Sequence, residues 1–454
     1  MRQTLLILGA TGEVTERWLL PGLGELLAAG GGEGLSLVGA ARQDWDDDRW
    51  RERVAGAFAQ SGAGGPRVDA VASATRYMQA DAADETDLRR LLDACHDPLV
   101  VYFALPPAVT ERTCQALTAI GLPPGSRLVM EKPFGTDAAS ARALNELLAR
   151  LVPEDDVYRV DHYLGMSTVL DILGLRFANR MLEPVLNAEH VVAVDIVFDE
   201  SLGLEGRAGY YDGAGALVDM IQSHSLQVLS LLAMDAPSTL QARDLRDGTA
   251  QVLRATRIWD DDPTSCSRRA RYTAGEVDGR RLPSYVDEPG VDPARGTETL
   301  AEVVVAVDTW RWAGVPFRLR AGKALGAPRK EVAITFRRPR WIPRGLEGYE
   351  RPDRLTLGLD SHLLSIDLNV NGPGDPLVID PVTLQAGLQP GSLPPYGEVL
   401  RAVLDGDPVL SVRGDSAVEC WRIVEPVLQA WRDGAVALEE YAAGSRGPAG
   451  WSAA

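Results

Sequence analysis

The sequence predicts two domains of different class: an α/β domain on a parallel, doubly wound sheet, then a large α+β domain with a mainly antiparallel sheet. Three observations carry this expectation. Short apolar runs alternate with helical patterns as far as about residue 160, and from residue 300 onward strand patterns follow one another directly. The 454 residues also leave room for two or three domains, at roughly 150 residues each.

In chain order, LLIL (5 to 8) is a buried strand, GATG (9 to 12) a glycine turn, and 15 to 28 a helix with Leu19, Leu20, Leu23, Leu26 and Leu27 on its apolar side. LSLVGAAR (35 to 42) completes a β-α-β unit. A polar helix (44 to 60), a loop, the strand LVVYFAL (99 to 105), the strand and turn LVMEKPFG (128 to 135) and a helix over 136 to 151 complete a first domain, placed at 1 to 160. The second domain, 161 to 454, has helices over 165 to 182 and 212 to 233 flanking VVAVDIVFDE (191 to 200). The strands LAEVVVAVDTW, PFRLRAG, EVAITF, LTLGL and LLSIDLNV follow. Pro- and Gly-rich stretches at 281 to 296 and 371 to 396 read as loops, and final helices lie near 397 to 405 and 416 to 433.

Composition narrows the function. Against 46 Lys and Arg stand 64 Asp and Glu, a net charge of -18, and with no segregated basic patch such a chain repels nucleic acid. The four cysteines lie far apart without C-x-x-C spacing, so neither a disulfide framework nor a metal site is expected, and a cytoplasmic setting fits. No apolar stretch of about 18 residues occurs, which argues against a membrane span.

Gly9-Ala10-Thr11-Gly12 between a strand and a helix suits a pyrophosphate, because glycine admits close approach and the helix start offers N–H groups. The motif is G-x-x-G, so a merely tight turn is the other reading. Where a dinucleotide enzyme selective for a free ribose carries an acid, this chain has Arg42 and then Gln43. A guanidinium there suits a 2′-phosphate, and a solvated surface arginine is the alternative. Tyr102, Ala104, Leu105, Pro106 and Pro107 end a strand on the side where parallel sheets bind ligands, and a packed strand end is the other reading. Asp161, His162 and Tyr163 place an acid, an imidazole and a phenol side by side. His224 has Met220 and Val228 four residues away on either side, the pattern of a core histidine. As a base it needs a carboxylate, for which Asp161 and Asp219 are candidates.

GATGEV (9 to 14), MEKPFG (130 to 135), YRVDHYLG (158 to 165), LRFANRMLEPVLN (175 to 187), EGRAGYYD (205 to 212), ALVDMIQSHSLQ (216 to 227), PFRLRAGKAL (316 to 325) and EEYAAGSRGP (439 to 448) resemble, in order, the glucose-6-phosphate dehydrogenase family. The resemblance implies a Rossmann-like coenzyme domain, a large α+β domain, and the sugar bound between them. The implied reaction is oxidation of a hexose 6-phosphate at C1 to the δ-lactone, the entry to the pentose phosphate pathway. The implied coenzyme is NADP, with NAD also admitted because Gln43 is neutral. His224 would be the base, Asp161 its orienting carboxylate, and Lys132 the lysine that contacts sugar and coenzyme. His162 and Tyr163 would hold the phosphate; Glu200, Asp219 and Lys323 would bind the sugar. Gly9, Thr11, Gly12, Glu13, Arg42, Gln43, Ala104, Leu105, Pro106, Lys132 and Pro133 fall on coenzyme positions. A homodimer or homotetramer is the implied assembly.

The match has gaps. Met166 stands where the family's motif ends in lysine, Pro328 where a basic residue is expected, and Trp18 where one is frequent. A thioether carries no charge and donates nothing. Losing two charge-assisted hydrogen bonds without compensation would weaken phosphate binding by roughly two to four powers of ten, unless Arg329 or Lys330 takes over. Two alternatives therefore stand beside the dehydrogenase of glucose 6-phosphate: a paralogue acting on a different or unphosphorylated hexose, and a non-catalytic NADP-binding sensor.

Overall fold

In the computed structural model, which describes residues 3–96, 98–349 and 351–451, the chain forms two compact units. One comprises Met1–Ser167, Pro237–Ala250 and Gly391–Trp421, the other Thr168–Ala236, Gln251–Pro390 and Arg422–Ala454. Where the sequence suggests a single cut after residue 160, two later segments return to the first unit.

The first unit is a six-stranded parallel sheet of β1 (Gln3–Leu8), β2 (Leu35–Ala41), β3 (Arg76–Gln79), β4 (Leu99–Phe103), β5 (Arg127–Glu131) and β6 (Val157–Val160), in the order β3-β2-β1-β4-β5-β6. Strand order reverses between β1 and β4, and a crevice for a ligand opens beyond the carboxyl ends of such a pair. The stretch expected as a loop after residue 60 instead holds α3 (Pro66–Ala74), β3 and α4 (Glu85–Asp93), which lie between α2 (Asp47–Gln60) and β4. The helix expected over 15 to 28 starts as a π-helical turn, Thr15–Leu19, before α1 (Leu20–Ala28). Leu5, Ile7, Leu23, Trp50 and Phe58 share one core with Val399, Leu400 and Val403, at about 1.5–3 kcal/mol for each fully buried side chain. Those last three lie on the later helix Pro395–Asp405. Gly22 admits that helix, since a Cβ there would stand 2.9 Å from the Gly397 nitrogen, and this close packing explains why the segment belongs to the first unit.

The second unit is built on a ten-stranded sheet of β7 (Val191–Asp199), β8 (Thr256–Ile258), β9 (Ser267–Thr273), β12 (Leu300–Val307), β13 (Phe317–Gly322), β14 (Lys330–Phe336), β15 (Arg354–Gly358), β16 (Leu363–Asn371), β17 (Ile379–Gly387) and β18 (Leu438–Ala442), while β10 (Gly275–Val277) and β11 (Arg280–Leu282) form a separate hairpin. The pairing is antiparallel apart from β7 with β13 and β9 with β18. β17 occupies part of the stretch expected as a loop and pairs with β16 over nine residues. Among the described residues no helix is long and apolar enough to cross a membrane.

Candidate active site

At the end of β1 the backbone turns through Gly9 with φ at +90°. A Cβ on Gly9 would lie 2.0 Å from the Ala104 carbonyl oxygen, so a side chain is excluded by conformation and by space. Gly12 donates to the Gly9 carbonyl at 2.9 Å, Thr15 closes on it through Oγ1 at 3.1 Å, and no side chain caps the helix start that follows. This cradle suits a dinucleotide pyrophosphate. Thr11 Oγ1 donates to Gln43 Oε1 at 2.8 Å, while β3 pins the adjacent backbone: Gln79 Nε2 donates to the Arg42 carbonyl at 3.0 Å and the Tyr77 hydroxyl to the Gln43 carbonyl at 2.7 Å. The Arg42 side chain is exposed at the end of β2. Ala104 donates to Leu8 at 2.9 Å, Leu105 is half-buried, and exposed Pro106 starts the helix Pro107–Ile120. Glu13 is turned to the surface in an ion pair with Arg17 at 2.7 Å.

Also in the first unit, Glu131 ends β5, and Lys132 and Pro133 follow. Burial pushes the Glu131 carboxyl up to about 7, against the pull of the Tyr102 hydroxyl, Lys132 and the Tyr396 hydroxyl; the charge of Asp161 adds to the rise. Both tyrosines hydrogen-bond to it. Tyr396 stacks on His162 at 5.5 Å and 17° and on Trp18 at 6.4 Å and 18°. Asp161, 1% exposed, caps the turn His162–Gly165 by accepting from the Tyr163 N–H at 3.0 Å. Tyr163 is buried. Half-buried Met166 closes that turn through its N–H to the Tyr163 carbonyl at 3.1 Å.

In the second unit, register gathers the charges. β13 runs parallel to β7 with Gly322 beside Asp199, and β14 runs antiparallel to β7 with Lys330 beside Phe198, so the next residues out, Glu200 and Lys323, meet Lys330. Lys323 Nζ donates to Glu200 Oε2 at 2.8 Å, Lys330 Nζ lies 3.5 Å from Glu200 Oε1 and 2.8 Å from Asp360. Burial raises the Glu200 carboxyl, but the two lysines outweigh it and hold the group below its usual range, with Asp219 near enough to oppose them. Lys323 also sits over the Tyr211 ring at 5.3 Å. Arg329 is turned to Asp199 and Glu331, each at 3.7 Å.

Asp219 and His224, 8% and 1% exposed, do not lie on a plain α-helix. Leu217–Ser225 is π-helical and Leu226–Ala233 continues as α-helix. Residues five apart are rotated by about 140° in an α-helix, whereas a π-helix bonds i to i+5, which draws Asp219 and His224 toward one face. The four-residue spacing to Met220 gives this histidine's burial but not its turn toward Asp219.

The chain matches two adjoining family models: "Glucose-6-phosphate dehydrogenase, NAD binding domain" over residues 6–171 and "Glucose-6-phosphate dehydrogenase, C-terminal domain" over residues 173–454. The chain belongs to the glucose-6-phosphate dehydrogenase family. The glucose-6-phosphate 1-dehydrogenase of Gluconobacter oxydans is 39% identical over 461 residues, covering 97% of this chain and 94% of that protein. That of Zymomonas mobilis is 34% identical over 469 residues, covering 98% and 96%. Among solved structures, glucose-6-phosphate 1-dehydrogenase from Mycobacterium avium superimposes with a TM-score of 0.86 at 31% identity, covering 98% of this chain and 95% of that one. A glucose-6-phosphate dehydrogenase in complex with its substrate glucose-6-phosphate does so with the same score at 28% identity, covering 99% and 96%. Family membership makes this an oxidoreductase with a nicotinamide dinucleotide domain.

Structure adds residues that sequence reasoning passed over. Glu131 stands beside Lys132 in MEKPFG, and its hydrogen-bond partners, Tyr102 and Tyr396, lie far from it in sequence. Tyr396 has no chemical company in sequence and reaches the cluster only through helix packing. Lys330, named from sequence only as a reserve cation for the phosphate, pairs with Glu200 and Asp360.

Proposed function

We propose that the protein oxidises D-glucose 6-phosphate at C1 to 6-phospho-D-glucono-1,5-lactone with NADP as hydride acceptor, the reaction that opens the pentose phosphate pathway. The observation that carries this reading is the polar cluster of Glu200, Lys323 and Lys330, with Asp219 and His224 on one helical segment, in a chain of this family. When bound, the nicotinamide supplies the place to which the C1 hydrogen leaves with its electron pair. His224 takes the proton of the C1 hydroxyl as C1–O becomes a carbonyl, and Asp161 orients the imidazole and supports its charged form before the proton passes to solvent. Glu200 and Asp219 accept sugar hydroxyls, Lys323 donates to one, and Lys132 contacts sugar and coenzyme. His162 and Tyr163 hold the phosphate, with Arg329, whose ion pairs are long, as a further cation.

Gly9, Thr11 and Gly12 cradle the pyrophosphate, Gln43, Ala104, Leu105, Pro106 and Pro133 line the coenzyme, and Glu13 supports the loop from its surface pair with Arg17. The exposed Arg42 pairs with the 2′-phosphate, which favours NADP, while neutral Gln43 leaves NAD usable. A homodimer or homotetramer and a cytoplasmic setting, consistent with four free cysteines, complete the reading.

A second reading is favoured by a specific observation: uncharged Met166 closes the His162–Gly165 turn and exposed Pro328 ends the loop before Arg329. It holds that the sugar is a different or unphosphorylated hexose. Steady-state assays with glucose 6-phosphate and glucose, each with NADP and NAD, separate the two. The expected result is NADPH formation with kcat/KM highest for glucose 6-phosphate and NADP. Turnover of glucose at equal or better efficiency supports the second reading, and no turnover of any pair sinks both.

A further inference from the structure

Within the second unit, the tripeptide Thr297-Glu298-Thr299 just before β12 touches three pieces of the candidate site. Thr297 Oγ1 donates to the Asp212 carbonyl at 2.7 Å, in the helix Ala208–Ala216. Glu298 Oε1 accepts from the Leu217 N–H at 2.9 Å, and its carbonyl accepts from Ala216 at 3.3 Å. The Thr299 carbonyl accepts from the backbone N–H of Lys323 at 2.9 Å. Leu217 is the first residue of the π-helical segment that carries Asp219 and His224. Glu298 is 7% exposed, and space is made for it by Gly215, whose φ is +67° and on which a Cβ would lie 2.3 Å from Glu298 Oε1. Glycine at 215 and glutamate at 298 are thus one device: the missing side chain admits the carboxyl to a helix start that has no side-chain cap of its own.

We propose that Glu298 is a positioning residue, its carboxyl fixing the start of the segment that bears Asp219 and His224 and so setting the sugar-binding acid and the base together. This rests on the roles proposed above for those two residues. An unpaired Leu217 N–H in this buried place is costly, and an ionised carboxyl there also complements the positive end of the segment. The groups that face Glu298 are the N–H groups of Leu217 and Ala216, Arg269 on β9, Tyr211 on the preceding helix and Tyr285 in the turn after β11. Burial raises the carboxyl to about 7 against the pull of those N–H groups and Arg269, so its charge changes near neutral pH.

The test uses the full-length enzyme with glucose 6-phosphate and NADP. Glu298→Ala should lower kcat by about 10- to 100-fold and raise the sugar KM several-fold while the NADP KM stays unchanged, because a misplacement of about 1 Å suffices for such losses. Glu298→Gln keeps an acceptor oxygen and should restore kcat at pH 6. The ratio of wild type to Glu298→Gln should then rise by about threefold between pH 6 and pH 8, the size of one charge acting on a helix end. Gly215→Ala, which displaces the carboxyl from the other side, should copy Glu298→Ala. A Glu298→Ala enzyme within twofold of wild type in kcat and sugar KM overturns the proposal. If Glu298→Ala does not fold, a ratio that stays flat from pH 6 to pH 8 for Glu298→Gln overturns it. A wild type that forms no NADPH from glucose 6-phosphate fails the proposed function itself, and the proposal falls with it.

Discussion

Met166 is the residue at which local chemistry and family resemblance part. It closes the turn that Asp161 caps and stands immediately before the helix Ser167–Phe177. Met166→Lys should place an ammonium beside His162 and Tyr163 and lower the KM for glucose 6-phosphate by roughly tenfold, the worth of one charge-assisted bond, with the KM for glucose unmoved. If Arg329 already serves the phosphate, that lysine changes little and Arg329→Ala raises the KM sharply. Unchanged discrimination between the two sugars in both variants moves the reading to an unphosphorylated hexose. His224→Asn should leave NADP binding intact and lower kcat by roughly two to four powers of ten; an enzyme within threefold of wild type would show that another group is the base. Asp161, His162 and Tyr163 could be singled out from sequence because they are contiguous. The partnership of Glu131 with Tyr102 and Tyr396 could not, since it joins residues that packing alone brings together, and no period along one segment encodes it.

At the scale of elements, the glycine turn was legible and its mechanical reason was not. Glycine at position 9 is required by the 2.0 Å approach to the Ala104 carbonyl as much as by its φ. Gly9→Ala should therefore cost more than about 2 kcal/mol, since a backbone clash adds to left-handed strain. Gly30→Ala is the matched control: its φ is +92°, but the space around it is open, so strain of about 1 kcal/mol is its whole cost. Thermal unfolding with a coenzyme titration checks both, and equal effects would refute the clash. The two strands missed from sequence, β3 and β17, have a common cause. β3 is four residues long, RYMQ, and mostly polar, and β17 contains Pro381 and is exposed on both faces, so neither shows the alternation that marks a half-buried strand. The π-helical segment does not follow the 3.6-residue period by which an amphipathic helix shows itself in sequence.

For the molecule as a whole, stability should depend on pH through its buried acids. Glu131 and Glu298 hold their protons to about 7 in the folded state, against about 4.3 for an exposed glutamate. Between those values the native state binds more protons than the unfolded chain, so each group's contribution falls as pH rises and is level above about 7. Urea unfolding of wild type and Glu298→Gln at pH 5 and pH 7.5 isolates one of them: the variant should gain on wild type with rising pH, by an amount on the order of 3 kcal/mol at most. A constant difference would mean that Glu298 ionises as an ordinary glutamate. Assembly is the last property of the whole chain that the sheet addresses. β17 ends the strand order of the large sheet, is nine residues long, and leaves Leu384 57% exposed, with Leu377 equally bare just before it and Leu363 and Val370 uncovered on β16. A long edge strand with apolar side chains in water invites pairing with another chain unless a partner covers it. The homodimer or homotetramer proposed above would supply that cover, with a second copy of this sheet as the partner. Sedimentation velocity at micromolar concentration should show a dimer or tetramer. Leu384→Lys should shift it toward monomer without unfolding it, because the site of substitution packs against nothing in its own core. A wild type that sediments as a monomer, or a Leu384→Lys protein that assembles as tightly as wild type, would assign this face another role.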